Sequence, residues 1–171
     1  MQLYTSSTKR ITLIAFFGLL SGVISFFEVF LNPFIPIPGF KIGLANIIIL
    51  FLLFKLPLVD TILTGVFKCI FSSALGGALS NLFYSLPATV ISILIMYLIK
   101  KFFKRYVSVI GISIVGAMIH NIIQIIVSTI LLRSYNFWYY YPYITIIGLI
   151  AGVVNGLIIS KVKNLNFKIG I

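Results

Sequence analysis

Six apolar runs divide this chain, and the basic residues that separate them crowd into alternate breaks. Read as helices, the runs cover 11–31, 42–56, 58–75, 82–99, 107–132 and 144–160. Crossing a bilayer takes about 20 apolar residues, so the second and third runs are short. Each either tilts little or ends in a protein-lined cavity rather than in lipid. Of the 13 Lys and Arg residues, Lys9, Arg10, Lys55, Lys100, Lys101, Lys104, Arg105, Lys161, Lys163 and Lys168 fall on one side when the runs are threaded through a membrane. Lys41 and Arg133 fall on the other, and Lys68 lies inside a run. Basic residues beside short loops stay in the cytoplasm, so both termini are predicted to be cytoplasmic.

Only 9% of the residues are charged and 61% are hydrophobic. A soluble domain carries about a quarter charged residues, so lipid is the expected solvent. The predicted architecture is all-α: a polytopic membrane protein forming one transmembrane domain of six helices over 1–171. In a soluble protein, net charge +11 would suggest nucleic acid. Here the cations sit at helix ends, where they serve topology and anionic headgroups, so no nucleic-acid partner is expected. The single Cys69 excludes an internal disulfide and any cysteine-built metal site.

Ionisable groups inside a membrane are costly, so they define the candidate site. Glu28 lies near the outer end of the first helix. Lys41 opens the second, with Asn46 a turn and a half below it. Lys68 sits about 12 Å below the outer end of the third, at 1.5 Å per residue. His120, Asn121 and Gln124 run from mid-depth outward on the fifth, and Arg133 closes that helix. This polar set lies mostly in the outer half, as expected for a pocket open to the outside. His120 and Gln124, four apart, share a helix face, whereas Asn121 points about 100° away. Each also has a structural reading. Lys68 can snorkel outward, Glu28 can pair with Lys41 or Lys68, and the amides can join helices. Gly18 and Gly22 form GxxxG on the first helix, which suits either internal packing or docking of a partner subunit. Gly148, Gly152 and Gly156 continue that pattern on the sixth. The aromatic stretch 135–143 fits an interfacial belt or a lid.

Two acids, Glu28 and Asp60, complete the carboxylate inventory. Asp60 stands where it can cap the third helix. The chain has no paired carboxylates, no Ser/His/Asp set, no phosphate-binding loop and no metal motif, so neither catalysis nor a cofactor is expected. Any energy for transport must come from a partner or an ion gradient.

The string Pro36 to Asn46, PIPGFKIGLAN, resembles the signature of the bacterial Gx transporter family. The stretch from Gly111 through Gln124, GISIVGAMIHNIIQ, is similar to its second signature. The family also carries the label heptaprenyl diphosphate synthase component I. It is similar to the substrate-binding S components of energy-coupling factor transporters. The resemblance implies a multi-pass protein of a bacterial cell membrane, with an external site for a vitamin-like or cofactor-like small molecule. It further implies a transmembrane coupling subunit and cytoplasmic ATPases as partners. It marks Lys41, Asn46, His120, Asn121 and Gln124 as important; their assignment to a ligand rests on depth. S components often dock through AxxxA on the first helix, for which Gly18 and Gly22 are the nearest match. Prenyl synthases resemble one another in aspartate-rich Mg²⁺ motifs, which a chain with one Asp cannot supply. The other reading is a non-catalytic accessory subunit in polyprenyl, quinone or redox metabolism.

Overall fold

The structure is a computed structural model that describes residues 7–30, 43–77, 79–103 and 105–162. The expected outer loop and Lys41 lie outside the described residues. The helices are α1 (Ser7–Phe30), α2 (Asn46–Lys55), α3 (Leu58–Leu75), α4 (Ser80–Phe102), α5 (Val109–Leu132) and α6 (Tyr141–Val162). Five of them are long and apolar enough to cross a membrane. The exception is α2, within the run 42–56 that is predicted to be short. Ten residues make only about 15 Å of helix, about half of a hydrocarbon core.

Successive helices alternate in direction, so α1 and α3, with the short α2 between them, run parallel. Arg10 at the start of α1 meets Asp60 at the start of α3, and Lys100 near the end of α4 meets Leu53 near the end of α2. Lys9, Arg10, Lys55, Lys100, Lys101, Arg105 and Lys161 therefore share one end of the bundle, called here the basic end. Helix α1 packs on α3, α3 on α4, α4 on α5 and α5 on α6, while α2 touches α1, α3, α4 and α6. The outward faces carry large apolar side chains such as Phe16, Leu63, Phe83 and Ile150. The inward faces hold Ser21, Thr64, Thr89, Ser113 and Asn155, all buried. Apolar outside and partly polar inside is the distribution expected of a bundle whose solvent is lipid.

Helix α2 explains this layout. Its sequence NIIILFLLFK is apolar on every side, and Ile49, Leu50, Leu52 and Leu53 are all almost fully buried. A helix with no polar face must be covered all round. Measured from the basic end, it reaches only to mid-depth, and its terminal amides and carbonyls need partners from the protein. Two distant residues supply them. At the start, the Glu28 carboxylate accepts from the Gly43 amide at 3.0 Å and from the Ala45 amide. At the other end, Lys100 Nζ donates to the Leu53 carbonyl at 2.5 Å and stands 5.1 Å from the centre of the Phe54 ring. A carboxylate at the N-terminus and an ammonium at the C-terminus are the charges that a helix dipole favours.

Two further expectations change. Asp60 does not cap α3: Pro57 occupies the N-cap, and Asp60 in the first turn accepts from Arg10 Nε at 2.8 Å and Nη2 at 2.5 Å. A buried carboxylate needs an opposite charge more than a helix needs one more cap. The aromatic stretch is helical rather than an open loop. Tyr135–Tyr140 form a 3-10 helix, with Phe137, Tyr140 and Tyr141 packed on Ile125 and Ile144 while Tyr135 and Tyr139 face outward.

Candidate functional site

Three of the predicted site residues, Glu28, Asn46 and Lys68, meet where α2 begins. Gly43 adopts φ +96°, a left-handed backbone that favours glycine. That turn aims the amides of Gly43 and Ala45 at α1. Ser21, Ser25 and Glu28 form one face of α1, all buried. Ser21 Oγ donates to the Ala45 carbonyl at 2.9 Å, one turn and three residues before Glu28 reaches the amides. From α3, Lys68 Nζ donates to Asn46 Oδ1 at 2.6 Å. From α6, Asn155 Nδ2 donates to the Gly43 carbonyl at 3.0 Å. The four residues Gly43–Asn46 are thus held by three other helices.

Depth follows from helix rise. Asn46, Lys68 and His120 each lie roughly 15 Å from the basic end, at 1.5 Å per residue. The cluster is therefore centred at mid-depth. Lys68 is only 4% exposed. Its hydrogen-bond partner is a neutral amide, and an ammonium carries three donors. Glu28 is engaged by the α2 amides.

His120 and Gln124 are buried on the inward face of α5. Asn121 points elsewhere and donates to the Ile144 carbonyl at 3.1 Å, holding α5 to α6. Arg133 stands apart from the cluster, exposed at the C-cap of α5 with φ 49°. Below the cluster, Asn46, Thr89, Ser92, Ser113 and Asn155 line a cavity of about 10 Å³, room for about one water. Asn155 escaped the sequence reading because the glycines on either side of it drew the eye to packing. An Asn inside an apolar run is itself a signal of interhelical bonding or of a site.

Gly18 and Gly22 face α3. A Cβ on Gly18 would lie 2.6 Å from Phe67 Cδ1, and one on Gly22 would lie 2.9 Å from Phe71 Cδ1. Internal packing thus occupies the surface that a docking partner would need. Gly18→Leu is expected to lower stability by about 1–3 kcal/mol through overpacking, read as the thermal midpoint in detergent. An unchanged midpoint with loss of a co-purifying partner would instead return these glycines to docking.

Among the described residues no group of three or more His, Cys, Asp or Glu could hold a metal ion. Comparison with known families matches residues 17–162 to the model described as heptaprenyl diphosphate synthase component I. No curated protein and no solved structure matches the chain.

Proposed function

The chain belongs to the heptaprenyl diphosphate synthase component I family, and from that footing we propose that it is the substrate-binding membrane subunit of a small-molecule uptake transporter. In this reading the ligand enters from the far end, opposite the basic clusters, and partner subunits supply the energy. The observation that carries the proposal is Lys68: a buried ammonium at mid-depth with one neutral partner and donors to spare. An intramembrane cation with incomplete partners is expensive and points to a ligand that completes them. His120 and Gln124 stand at the same depth and above it on an inward face. A vitamin-sized ligand needs a pocket of roughly 300 Å³ or more, so a ligand seated in the one-water cavity beside Asn46 must part the helices around it. The excess positive charge favours an anionic or acceptor-rich ligand.

Both acids are already engaged, Glu28 with α2 and Asp60 with Arg10 at the opposite end. Neither is free to hold Mg²⁺ and diphosphate, which weighs against a prenyl synthase active site in this chain. Purification at native expression level, with partners identified by mass spectrometry, tests the proposal. A coupling membrane subunit with ATPases is the expected result. A prenyl synthase or redox subunit without ATPases would replace transport with an accessory role.

Lys68→Met separates binding from folding. Replacing a buried charge by an apolar side chain of similar volume is often neutral or stabilising. The variant is expected to keep its thermal midpoint and lose at least tenfold in uptake of the ligand that wild-type cells accumulate. Wild-type uptake would remove Lys68 from the site.

A further inference from the structure

Many hydroxyls on these helices bond back to their own backbone, and buried Ser21 bonds across to the Ala45 carbonyl. Thr61, Thr64, Thr129 and Thr145 each donate to the carbonyl four residues earlier in sequence. Ser72 and Ser92 bond three residues back. Ser73, Ser85 and Ser128 are as deeply buried, at 0, 4 and 0% exposure, yet their Oγ atoms make no hydrogen bond. Back-bonding was open to all three, since each lies within a helix.

The three belong to one layer. Cys69 Sγ donates to Thr89 Oγ1 at 3.3 Å where α3 and α4 cross. These helices are antiparallel, so one turn towards the far end brings Ser73 of α3 opposite Ser85 of α4. Helices α4 and α5 touch where Met96 covers Gly116. Three turns outward from that contact lead to Ser85 on α4 and to Ser128 on α5. Ser128 also continues the buried face of His120 and Gln124 at i, i+4 and i+8. Along its own helix Ser73 lies about 6 Å outward of Cys69, and Ser128 about 12 Å outward of His120, at 1.5 Å per residue.

We propose that Ser73, Ser85 and Ser128 form a hydroxyl-lined compartment above Lys68 that admits water from the far end and receives a neutral, hydrogen-bonding part of the ligand, not a hydrocarbon chain. This rests on the transport reading for the ligand's entry, and it narrows the ligand class. A hydroxyl buried without a partner carries its full desolvation cost, and a ligand offering donors and acceptors removes that cost. A prenyl chain laid against the same three hydroxyls would leave the cost in place, so the site selects against it.

The test uses full-length protein in sided membrane vesicles, with Cys69→Ser as background and Ser73→Cys, Ser85→Cys or Ser128→Cys introduced singly. The probe is a membrane-impermeant trimethylammonium methanethiosulfonate. All three cysteines should react when the reagent is added from the far end, whereas Ile93→Cys, in the apolar core, should not. Geranyl diphosphate should not slow the reaction. Three cysteines as inert as position 93, or reaction only from the basic end, would overturn the compartment. A saturable slowing by geranyl diphosphate would overturn the ligand class. As a second readout, Ser73→Ala, Ser85→Ala and Ser128→Ala should not lower the thermal midpoint; a drop would assign the hydroxyls to structure. Reactive cysteines in a protein that purifies without ATPases would keep the compartment and remove transport. Inert cysteines in a protein that purifies with them would do the reverse.

Discussion

Glu28→Ala is expected to cost about 3–5 kcal/mol, the range seen when one partner of a buried charged contact is removed. The substitution strips two backbone amides, Gly43 and Ala45, of their acceptor at the start of α2. Each buried donor left without a partner costs about 1–3 kcal/mol. Glu28→Gln retains one acceptor oxygen and should cost less, about 1–2 kcal/mol on the same scale. The thermal midpoint in detergent measures the total. Amide exchange over residues 43–47 shows whether the loss is local, as expected: those amides should exchange much faster in Glu28→Ala while α4 and α5 remain protected. Uniform loss of protection would mean that α2 anchors the whole bundle.

The second large effect lies at the α5–α6 contact. A Cβ on Gly152 would stand 2.8 Å from Ile114 Cα, and one on Gly156 would stand 2.6 Å from Ile110 Cα. These neighbours are backbone atoms, so no rotamer change can relieve the overlap and α5 must move away. Gly152→Ala and Gly156→Ala should each cost about 1–3 kcal/mol, with the double variant worse than either. The same shift would strain the Asn121 bond to the Ile144 carbonyl. At Gly18 the obstacle is the ring of Phe67, which is 37% exposed and can swing aside, so alanine there should be milder. Thermal midpoints of the three alanine variants decide it. A ranking with Gly18→Ala worst would overturn the backbone argument.

Much of this fold was legible because a membrane imposes few rules and enforces them strictly. Apolar length gave the five long helices within a few residues, and the basic clusters gave the end of the bundle at which each of them starts. The short second run was read with two possible fates. Periodicity could not choose between them, because its residues are apolar on every side and therefore have no preferred face. The site was legible as a set of residue types at a depth but not as a set of bonds. For Glu28 both a ligand contact and a pairing with Lys41 or Lys68 were open, and sequence could not show that the start of α2 would offer it two amides. Asn121 divided from His120 and Gln124 by the 100° step per residue, which sequence does supply. The serine layer was invisible, since serine is common in membrane helices and only the geometry distinguishes a hydroxyl that bonds back from one that does not.

The doubly capped central helix also constrains the order in which the chain can be completed during synthesis. A ten-residue apolar segment is too short to be released into lipid as a spanning unit. Its N-terminal cap, Glu28, has already emerged when α2 is made, but Lys100 at its other end follows 45 residues after Lys55, and Asn155, which binds the Gly43 carbonyl, follows 112 residues after Gly43. Helix α2 must therefore wait in a sheltered setting, in the insertion machinery or between α1 and α3, until the last helix arrives. Its final position is reached only by the whole chain, which makes the middle of this protein the last part to be finished.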